Sequence, residues 1–186
     1  PICRVALPFQ QMITKKHLTY LCGNNIEFNM PIPKPTEEDE AQRAEFKGGW
    51  MSKNMETAFY ASMKADKVTG DCAFCGVLNN GEFSWRVFSY LDGDTLYPHY
   101  DRITGKLELF ARKYSQFDES GKTIVEYLDV WDDKTIYHYK KDNSTSLKRV
   151  KNNILEALGL DGWAEDIEAK PHGFAEIPIA YHRSGA

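Results

Sequence analysis

Carboxylates and one imidazole are concentrated between residues 92 and 101 of this 186-residue chain. Asp92-Gly93-Asp94 is followed shortly by His99 and Asp101. Such ligands can hold a hard divalent cation, so a metal-dependent hydrolase using Asp92, Asp94, His99 and Asp101 is one alternative interpretation. Asp-Gly-Asp is also ordinary turn chemistry, and no paired carboxylate from elsewhere completes a nuclease site. The turn interpretation is favoured, and no catalytic, cofactor-binding or metal-binding residue is assigned.

The cysteines offer a second kind of chemistry. Cys72 and Cys75 have the CxxC spacing of half a zinc site or of a redox pair, whereas Cys3 and Cys22 stand apart. A structural zinc site needs four ligands, and no second CxxC or HxxxH partner follows at a suitable distance. A redox CxxC usually opens a helix, whereas this one enters a predicted strand. Buried or half-buried strand cysteines in a reducing compartment are therefore predicted.

Motifs for nucleophilic catalysis and phosphate binding are weak. The chain has no G-x-S-x-G sequence. Gly121-Lys122-Thr123 matches the end of a Walker A loop, but the first glycine of that loop would fall at Gln116. The tripeptide also leads into a predicted strand, so no helix N-terminus would face a phosphate. A plain hairpin turn is the preferred interpretation.

The charge of the chain argues against a nucleic-acid surface. The formal net charge is −4. The clearest basic concentrations are Lys140-Lys141 and Lys148-Arg149 with Lys151, and we interpret them as the solvated face of a hairpin end and a helix. Contact with DNA would require a local basic patch or a channel made by oligomerisation.

Aromatic residues make up 13% of the chain and fall mainly in its middle. Those on predicted strands and turns could stack on a carbohydrate or a partner protein: Trp85, Tyr90, Tyr97, Tyr100, Tyr137 and Tyr139. Packing in the core or pairing across strands is the preferred interpretation for these side chains.

Helical periodicity opens the chain. Residues 9–22 predict a helix that stops at Gly23, with only Lys16 and His17 on its apolar face between Ile13 and Tyr20. That face comprises Phe9, Met12, Ile13, Tyr20 and Leu21. Residues 26–30 alternate like a short strand, and the proline-rich residues 31–35 predict an extended linker.

A second helical region covers about residues 36–67, as two helices or one kinked helix. Thr36 precedes four consecutive acidic residues, which suits the start of a helix. Gly48-Gly49 is expected to interrupt the helical signal. A stripe that faces the core is predicted from Met51, Met55, Ala58, Phe59 and Met63.

From residue 71 the period of the pattern changes from helix to strand. Asn79-Asn80-Gly81 between alternating runs predicts a hairpin. One amphipathic helix is predicted near residues 146–158, and Pro178 marks an edge or the start of a strand. The predicted extended segments are residues 72–78, 82–90, 96–100, 107–114, 123–131, 135–140 and 176–182. The short connections indicate an antiparallel meander, so the expected fold class is α+β, with helices first and one later helix.

These elements divide the chain into three expected regions. Residues 1–35 hold a helix, a short strand and the linker; residues 36–70 are helical; residues 71–186 form the sheet region with its inserted helix. Because the chain begins at Pro1 without an initiator Met, we expect it to be a fragment of a larger protein. It has no run of eighteen apolar residues, so no membrane contact is expected.

The order of the segments carries a resemblance. A helix that ends at a glycine leads into a short strand over residues 13–28, and a helix, Gly-Asp, a strand and a hairpin follow over residues 69–83. The later matching segments are residues 91–101, 109–114, 128–139 and 171–181. In order and spacing these segments resemble a tailed-bacteriophage portal protein, the head–tail connector, from about residue 13 to residue 182. Residues 143–170 have no counterpart in that resemblance.

The resemblance implies a structural protein and no enzyme. A portal protein forms a homo-oligomeric ring, typically of twelve subunits, at the capsid vertex of the virion. The ring assembles in the host cytoplasm, and a prophage is one source of such a protein. Double-stranded DNA passes through the channel, and the capsid, the terminase and head-completion proteins are the expected partners. This chain resembles the peripheral wing region, with the stem and clip expected beyond Ala186. No cofactor is implied, and another phage structural module is a further alternative.

Overall fold

The computed structural model describes residues 9–23, 26–29, 31, 33–118, 120–141 and 163–184. In these ranges three helices precede eight strands, and every strand pair is antiparallel. The predicted α+β class is therefore confirmed. The elements are α1 (Phe9–Cys22), α2 (Glu37–Ser52), α3 (Met55–Thr69), β1 (Asp71–Asn79), β2 (Glu82–Phe88), the 3-10 turn η1 (Tyr90–Asp92), β3 (Thr95–Tyr100), β4 (Leu107–Phe117), β5 (Ile124–Trp131), β6 (Thr135–Lys141), β7 (Trp163–Pro171) and β8 (Ile179–Arg183).

Local hydrogen bonds explain where α2 begins. The Thr36 hydroxyl accepts from the N–H of Asp39 at 3.3 Å, and the Asp39 carboxylate accepts from the N–H of Thr36 at 2.8 Å. This capping box satisfies two N–H groups that the helix leaves without a partner. The predicted helix start is confirmed. The break before α3 lies at Lys53 and Asn54, where Asn54 adopts a φ of 53°, and not at Gly48-Gly49, which lie within α2.

The stripe predicted to face the core lies mainly on α3. Met55 is buried, and Ala58, Phe59 and Met63 are half-buried where α3 packs on β1 and β2. Met51 lies on α2 and is 59% exposed, so its inclusion in the stripe was wrong. Met51 lies before the break at Lys53 and Asn54, whereas α3 is the helix that packs on β1 and β2.

The orientation of α1 differs from the prediction. Its buried side chains are Thr14 and Leu18, on the side of the helix that packs on α3. The predicted apolar face is exposed instead: Phe9, Met12, Ile13, Tyr20 and Leu21 are each at least 57% exposed. The helix itself is confirmed, but its apolar face is not part of the core that the described residues form.

The segment after α1 is extended without joining a sheet. Residues 26–29 alternate in burial, as predicted, but form no strand. The alternation has another cause, because Phe28 packs edge-on against Phe46 and Trp50 of α2, with ring centroids 5.0 Å apart in each case. The predicted short strand is therefore wrong for these residues, since a helix and not a strand provides their packing surface.

A three-stranded sheet, sheet 1, has the order β2-β1-β8. The β1–β2 hairpin is confirmed: Asn80 and Gly81 both adopt positive φ, 51° and 81°, as a type I′ turn requires. β8 pairs with the other side of β1 and forms an edge of the sheet, as Pro178 predicted. Ser184, just after β8, donates its hydroxyl to Asp66 of α3 at 2.7 Å.

A five-stranded sheet, sheet 2, has the order β3-β4-β5-β6-β7, the predicted meander. Two features differ from the prediction. The strands are divided between two sheets after Phe88, and β7 was not predicted. The helix predicted near residues 146–158 lies outside the described residues.

The main core lies between the two sheets. Ala73, Cys75 and Phe88 of sheet 1 pack against Phe110 and Trp131 of sheet 2. The opposite side of sheet 2 carries a second cluster, composed of Ala111, Leu128, Val130, Tyr139 and Trp163. Both sides of sheet 2 are therefore apolar at its centre, which explains why β5 lacks a simple alternation of apolar and polar residues.

Replacement of Phe110 tests this core. Phe110 is fully buried, and its ring centroid lies 5.9 Å from that of Trp131 and 6.3 Å from that of Tyr181. Phe110→Ala should lower the free energy of unfolding by about 3–5 kcal/mol, because it leaves a cavity between the sheets. Urea denaturation measures this loss. The control Phe117→Ala, at a side chain 64% exposed, should stay within about 0.5 kcal/mol of the parent. Equal losses would contradict the proposed core.

Candidate functional site

Two of the predicted metal-binding residues lie near each other around Ser89. Asp94 is 1% exposed and accepts from the backbone N–H of Ser89 at 3.1 Å and from Nε of Arg112 at 2.8 Å. Asp92 accepts from the Ser89 hydroxyl at 2.9 Å. The two carboxylates thus hold the turn between β2 and β3, with a cation already in place on Asp94.

The other two predicted ligands serve different structures. Nε2 of His99 lies 4.0 Å from the Glu108 carboxylate, on the neighbouring strand. Asp101 accepts from the N–H groups of Ile103 and Thr104 at 2.7 and 2.6 Å, and these hydrogen bonds lower the pKa of its carboxyl group. The part of the chain that the structure describes holds no group of three metal ligands. The structure therefore does not bring the four residues together as one group, since turns and ion pairs hold them in different places.

Arg112 is the centre of a largely buried charged cluster. Its Nε binds Asp94, and its Nη1 lies 3.9 Å from the Asp129 carboxylate. The guanidinium group also lies over the rings of Phe88 and Tyr114, at 4.2 and 4.3 Å from their centroids. Arginine suits this position because its planar group stacks on aromatic faces while its N–H groups donate in the plane.

The cluster continues across sheet 2 to His138. In the strand register Arg112 faces Asp129, and Asp129 faces His138. Nδ1 of His138 lies 2.7 Å from the Asp129 carboxylate, and this hydrogen bond raises the pKa of the imidazole despite its partial burial. Burial and the Asp129 charge raise the pKa of Tyr114 to about 12. We call Asp94, Arg112, Asp129 and His138 the charged row.

The charged row joins the two sheets. Arg112, Asp129 and His138 lie on the same side of sheet 2 as Phe110 and Trp131, toward sheet 1, and Arg112 stacks on Phe88 at the end of β2. The Asp94 carboxylate has Arg112 beside it, and the Asp129 carboxylate has Arg112 and His138, as buried charges require. The arrangement links the registered strands β4, β5 and β6 to the end of β2. It offers no nucleophile.

Sequence reasoning missed Arg112, Asp129 and His138. The signal that could have found them is the register: the predicted turn at residues 132–134 places Asp129 opposite His138 once the β5–β6 hairpin is closed. The link from Asp129 to Arg112 follows in the same way from the turn at residues 118–123. Only the contact with Asp94 depends on tertiary folding.

The cysteines of the CxxC motif lack the properties of reactive thiols. Cys72 and Cys75 are free and buried on β1, which confirms the prediction of buried strand cysteines. Burial raises the pKa of Cys72 to about 11 and that of Cys75 to about 12. A thiol with a raised pKa holds little thiolate at neutral pH, so neither cysteine is poised for redox or nucleophilic chemistry.

The Walker-like tripeptide is a hairpin turn, as predicted. The N–H groups of Lys122 and Thr123 donate to the Asp118 carboxylate at 3.1 and 3.3 Å, and Gly121 adopts a φ of 69°. A phosphate would need these same N–H groups. The carboxylate of the turn therefore occupies the place that an anion would take.

The basic and aromatic candidates are also used within sheet 2. Lys141 pairs with Glu126, and Lys140 lies 6.0 Å from the ring centroid of Tyr127. Lys148, Arg149 and Lys151 lie outside the described residues. The rings of Tyr137 and Tyr139 stack with centroids 6.4 Å apart, as the packing interpretation predicted. Trp85 of sheet 1 contacts Phe74 and Phe83. Tyr90, in the 3-10 turn η1, is 70% exposed.

A groove of about 800 Å³ lies between α1, α3 and the end of β2. Leu18, Ala65 and Val87 line its apolar floor, and Lys15 and Lys64 stand at its rim. The groove carries none of the catalytic pairings sought in the sequence, because its one carboxylate, Asp92, already accepts from Ser89.

Removal of Arg112 tests the charged row. Arg112→Met leaves the Asp94 carboxylate buried without its cation, so the free energy of unfolding should fall by about 3–5 kcal/mol. The double variant Arg112→Met/Asp94→Asn should lose less than the sum of the single variants, as measured by urea denaturation. Lys106→Met is the matched control: Lys106 and Glu176 are also 2.8 Å apart, but both side chains are more than 60% exposed. Solvent screens that pair, so its loss should matter little.

The imidazole end of the row predicts a dependence on pH. Because the folded-state pKa of His138 is raised above 6.5, its ion pair stabilises the fold at low pH, and this contribution is lost as pH rises through the folded pKa. The stability difference between the parent and His138→Gln should be larger near about pH 5.5 than near about pH 8.5. Unfolding free energies at the two pH values measure it. Asp129→Asn should remove the same component, and a difference independent of pH would contradict the assignment.

Comparison with known proteins agrees with the architecture. The model of the family described as phage portal protein, SPP1 Gp6-like, matches residues 1–184, nearly the whole chain. No individual curated protein matches the chain. Among the described helices, none is both long enough and apolar enough to cross a membrane. With the resemblance in segment order thus confirmed over almost its full length, the chain belongs to the SPP1 Gp6-like family of phage portal proteins.

Proposed function

We propose that this chain is the peripheral wing region of a portal ring, typically of twelve subunits, through which double-stranded DNA is packaged and ejected. The observation that carries the proposal is the family match over residues 1–184. Portal proteins are structural components of the virion, associated with the capsid as oligomeric rings. The wing assignment goes further and rests on the charges and on the absence of site chemistry described above.

The charges of the described residues support a peripheral position. The chain carries a net charge of −4. Several of its cations are already paired with carboxylates: Arg43 with Glu40, Lys67 with Asp66, Lys106 with Glu176, Arg112 with Asp94, and both Lys113 and Lys141 with Glu126. Binding of duplex DNA depends on cations that can neutralise phosphates. We therefore assign the DNA path to other parts of the protein.

The chemistry of the described residues supports an architectural role and no enzymatic one. The carboxylates that suggested a metal-dependent hydrolase close turns or hold Arg112. The thiols of the CxxC motif have raised pKa values. Side chains of these types instead hold two sheets and three helices together. No cofactor is proposed.

The proposed role implies particular partners and a location. The wing of a portal ring sits among capsid subunits at the unique vertex of the virion, and the terminase and head-completion proteins bind the same ring through other regions. Assembly takes place in the cytoplasm of the host, from an infecting phage or a prophage. The antiparallel two-sheet body suits this role, because its core and the contact of Arg112 with Phe88 hold the two sheets together.

Oligomeric state tests the proposed function. The full-length protein that contains this chain should form a large ring, seen by negative-stain microscopy and as one fast-sedimenting species by analytical ultracentrifugation. Heterologous contacts between identical subunits close into a ring when the rotation closes. A full-length protein that stays monomeric at micromolar concentration would contradict the proposal. Arg112→Met serves as a control for the fold. It destabilises the two-sheet structure without removing any surface residue, so it should reduce assembly through loss of the folded state.

A further inference from the structure

The outward side of α1 is apolar and exposed. Its large apolar side chains are Phe9, Met12, Ile13 and Tyr20, each at least 57% exposed, and Leu21, seven residues after the buried Thr14, is exposed at the edge of this side. The inward side of the same helix is already used, since Leu18 is 1% exposed against α3. Aromatic side chains and methionine are enriched in protein interfaces. A contiguous set of this size on one helix marks an interaction surface and not scattered exposure.

The same side of α1 carries a positive charge at Lys16, which lies with His17 between Ile13 and Tyr20. Lys15 lies at the rim of the groove between α1 and α3. The helix contains no acidic residue. A partner for this surface must therefore offer two things. Apolar or small side chains must leave room for the large apolar side chains of α1, and carboxylates must face Lys16.

Helix α2 has the complementary composition. It carries five acidic residues, Glu37, Glu38, Asp39, Glu40 and Glu45, against two basic ones. None of its sixteen residues, all described, is buried. Most helices in proteins are stabilised by packing of one face. Among the described residues, Phe28 packs on Phe46 and Trp50 of this helix, and the other sides of the helix are largely exposed.

Two glycines within α2 point to a close approach from outside. Apart from their chain neighbours and the nearby backbone of α2 itself, Cβ atoms added to Gly48 and Gly49 would meet no described atom within 4 Å, and neither residue has a positive φ. No contact within the described chain and no backbone conformation therefore requires glycine there, although glycine weakens a helix. On the helical wheel, Glu38, Glu45 and the two glycines share one side. That side is flat and acidic.

We propose that the outward side of α1 in one subunit packs against the Glu38–Glu45–Gly48 side of α2 in the neighbouring subunit. The large apolar side chains of α1 fill the space above the glycines, and Lys16 faces the carboxylates. The two surfaces differ and lie on one chain, so the contact is heterologous, the type that generates rings. This inference rests on the proposed ring, and it names the contact that closes the ring in this region.

A charge exchange tests the contact in the full-length protein. Lys16→Glu and Glu45→Lys should each weaken assembly at least about tenfold, measured by sedimentation velocity over a concentration series, because like charges would then face each other. The double variant Lys16→Glu/Glu45→Lys should recover most of the loss. Lys122→Glu, in the exposed turn after β4, is the matched control and should assemble like the parent. Circular dichroism of each variant checks the fold.

Cross-linking gives an independent measurement. Met12→Cys with Gly48→Cys should produce a ladder of disulfide-linked multimers on oxidation, absent from either single variant, which retains the half-buried native Cys22. Rings that form normally without the ladder, and without an effect of Lys16→Glu, would overturn this inference and leave the proposed function intact. Failure of the parent to form rings would instead overturn the proposed function. If Met12→Cys formed cross-links to capsid subunits alone, the α1 surface would bind the capsid, and the inference would be overturned. If Lys16→Glu lost only the binding to anionic vesicles, the surface would bind a membrane, which would also overturn it.

Discussion

The pairing of Asp94 with Arg112 is the constraint on which the arrangement of the two sheets depends. A carboxylate that is 1% exposed must have its charge compensated within the protein, and here the compensation comes from β4, eighteen residues away in sequence. The turn after β2, the start of β3 and the middle of β4 are thereby fixed together. Because Arg112 also stacks on Phe88, sheet 1 is held to the same point.

Ion pairing and apolar packing support each other at this joint. Phe88, Phe110 and Trp131 exclude water from the side of sheet 2 on which Arg112 lies, and a lower local polarity strengthens the ion pair. The contact between Asp66 and Ser184 adds α3 to the same body, because it ties the end of β8 to that helix. Helices and sheets therefore form a body suited to bearing contacts at its surface, as expected of a subunit in a ring.

Local signals in the sequence predicted much of the fold. Asn80-Gly81 specified its hairpin because both positions need positive φ, and Thr36 specified the start of α2 through its side chain. The division into two sheets was not predictable in this way, because β8 pairs with β1, a strand about a hundred residues earlier in the sequence. The candidate site failed for a related reason. Asp94 was identified as special, but its partner Arg112 is a tertiary neighbour, and a carboxylate beside arginine performs different chemistry from one beside other carboxylates.

The error at α1 has a different origin and carries more information. The periodic pattern correctly identified an apolar helix face, yet the chain buries the other side of the helix. Periodicity records every surface that is buried in the working protein, including contacts with neighbouring subunits, and it cannot tell these from the core. The same holds in reverse for α2, where Gly48 and Gly49 meet no packing requirement of the described chain. One chain of a ring-forming family therefore carries an exposed apolar surface on α1 and an acidic surface with glycines on α2. These two surfaces complement each other, so the difference between the predicted and the observed burial of α1 points to quaternary structure.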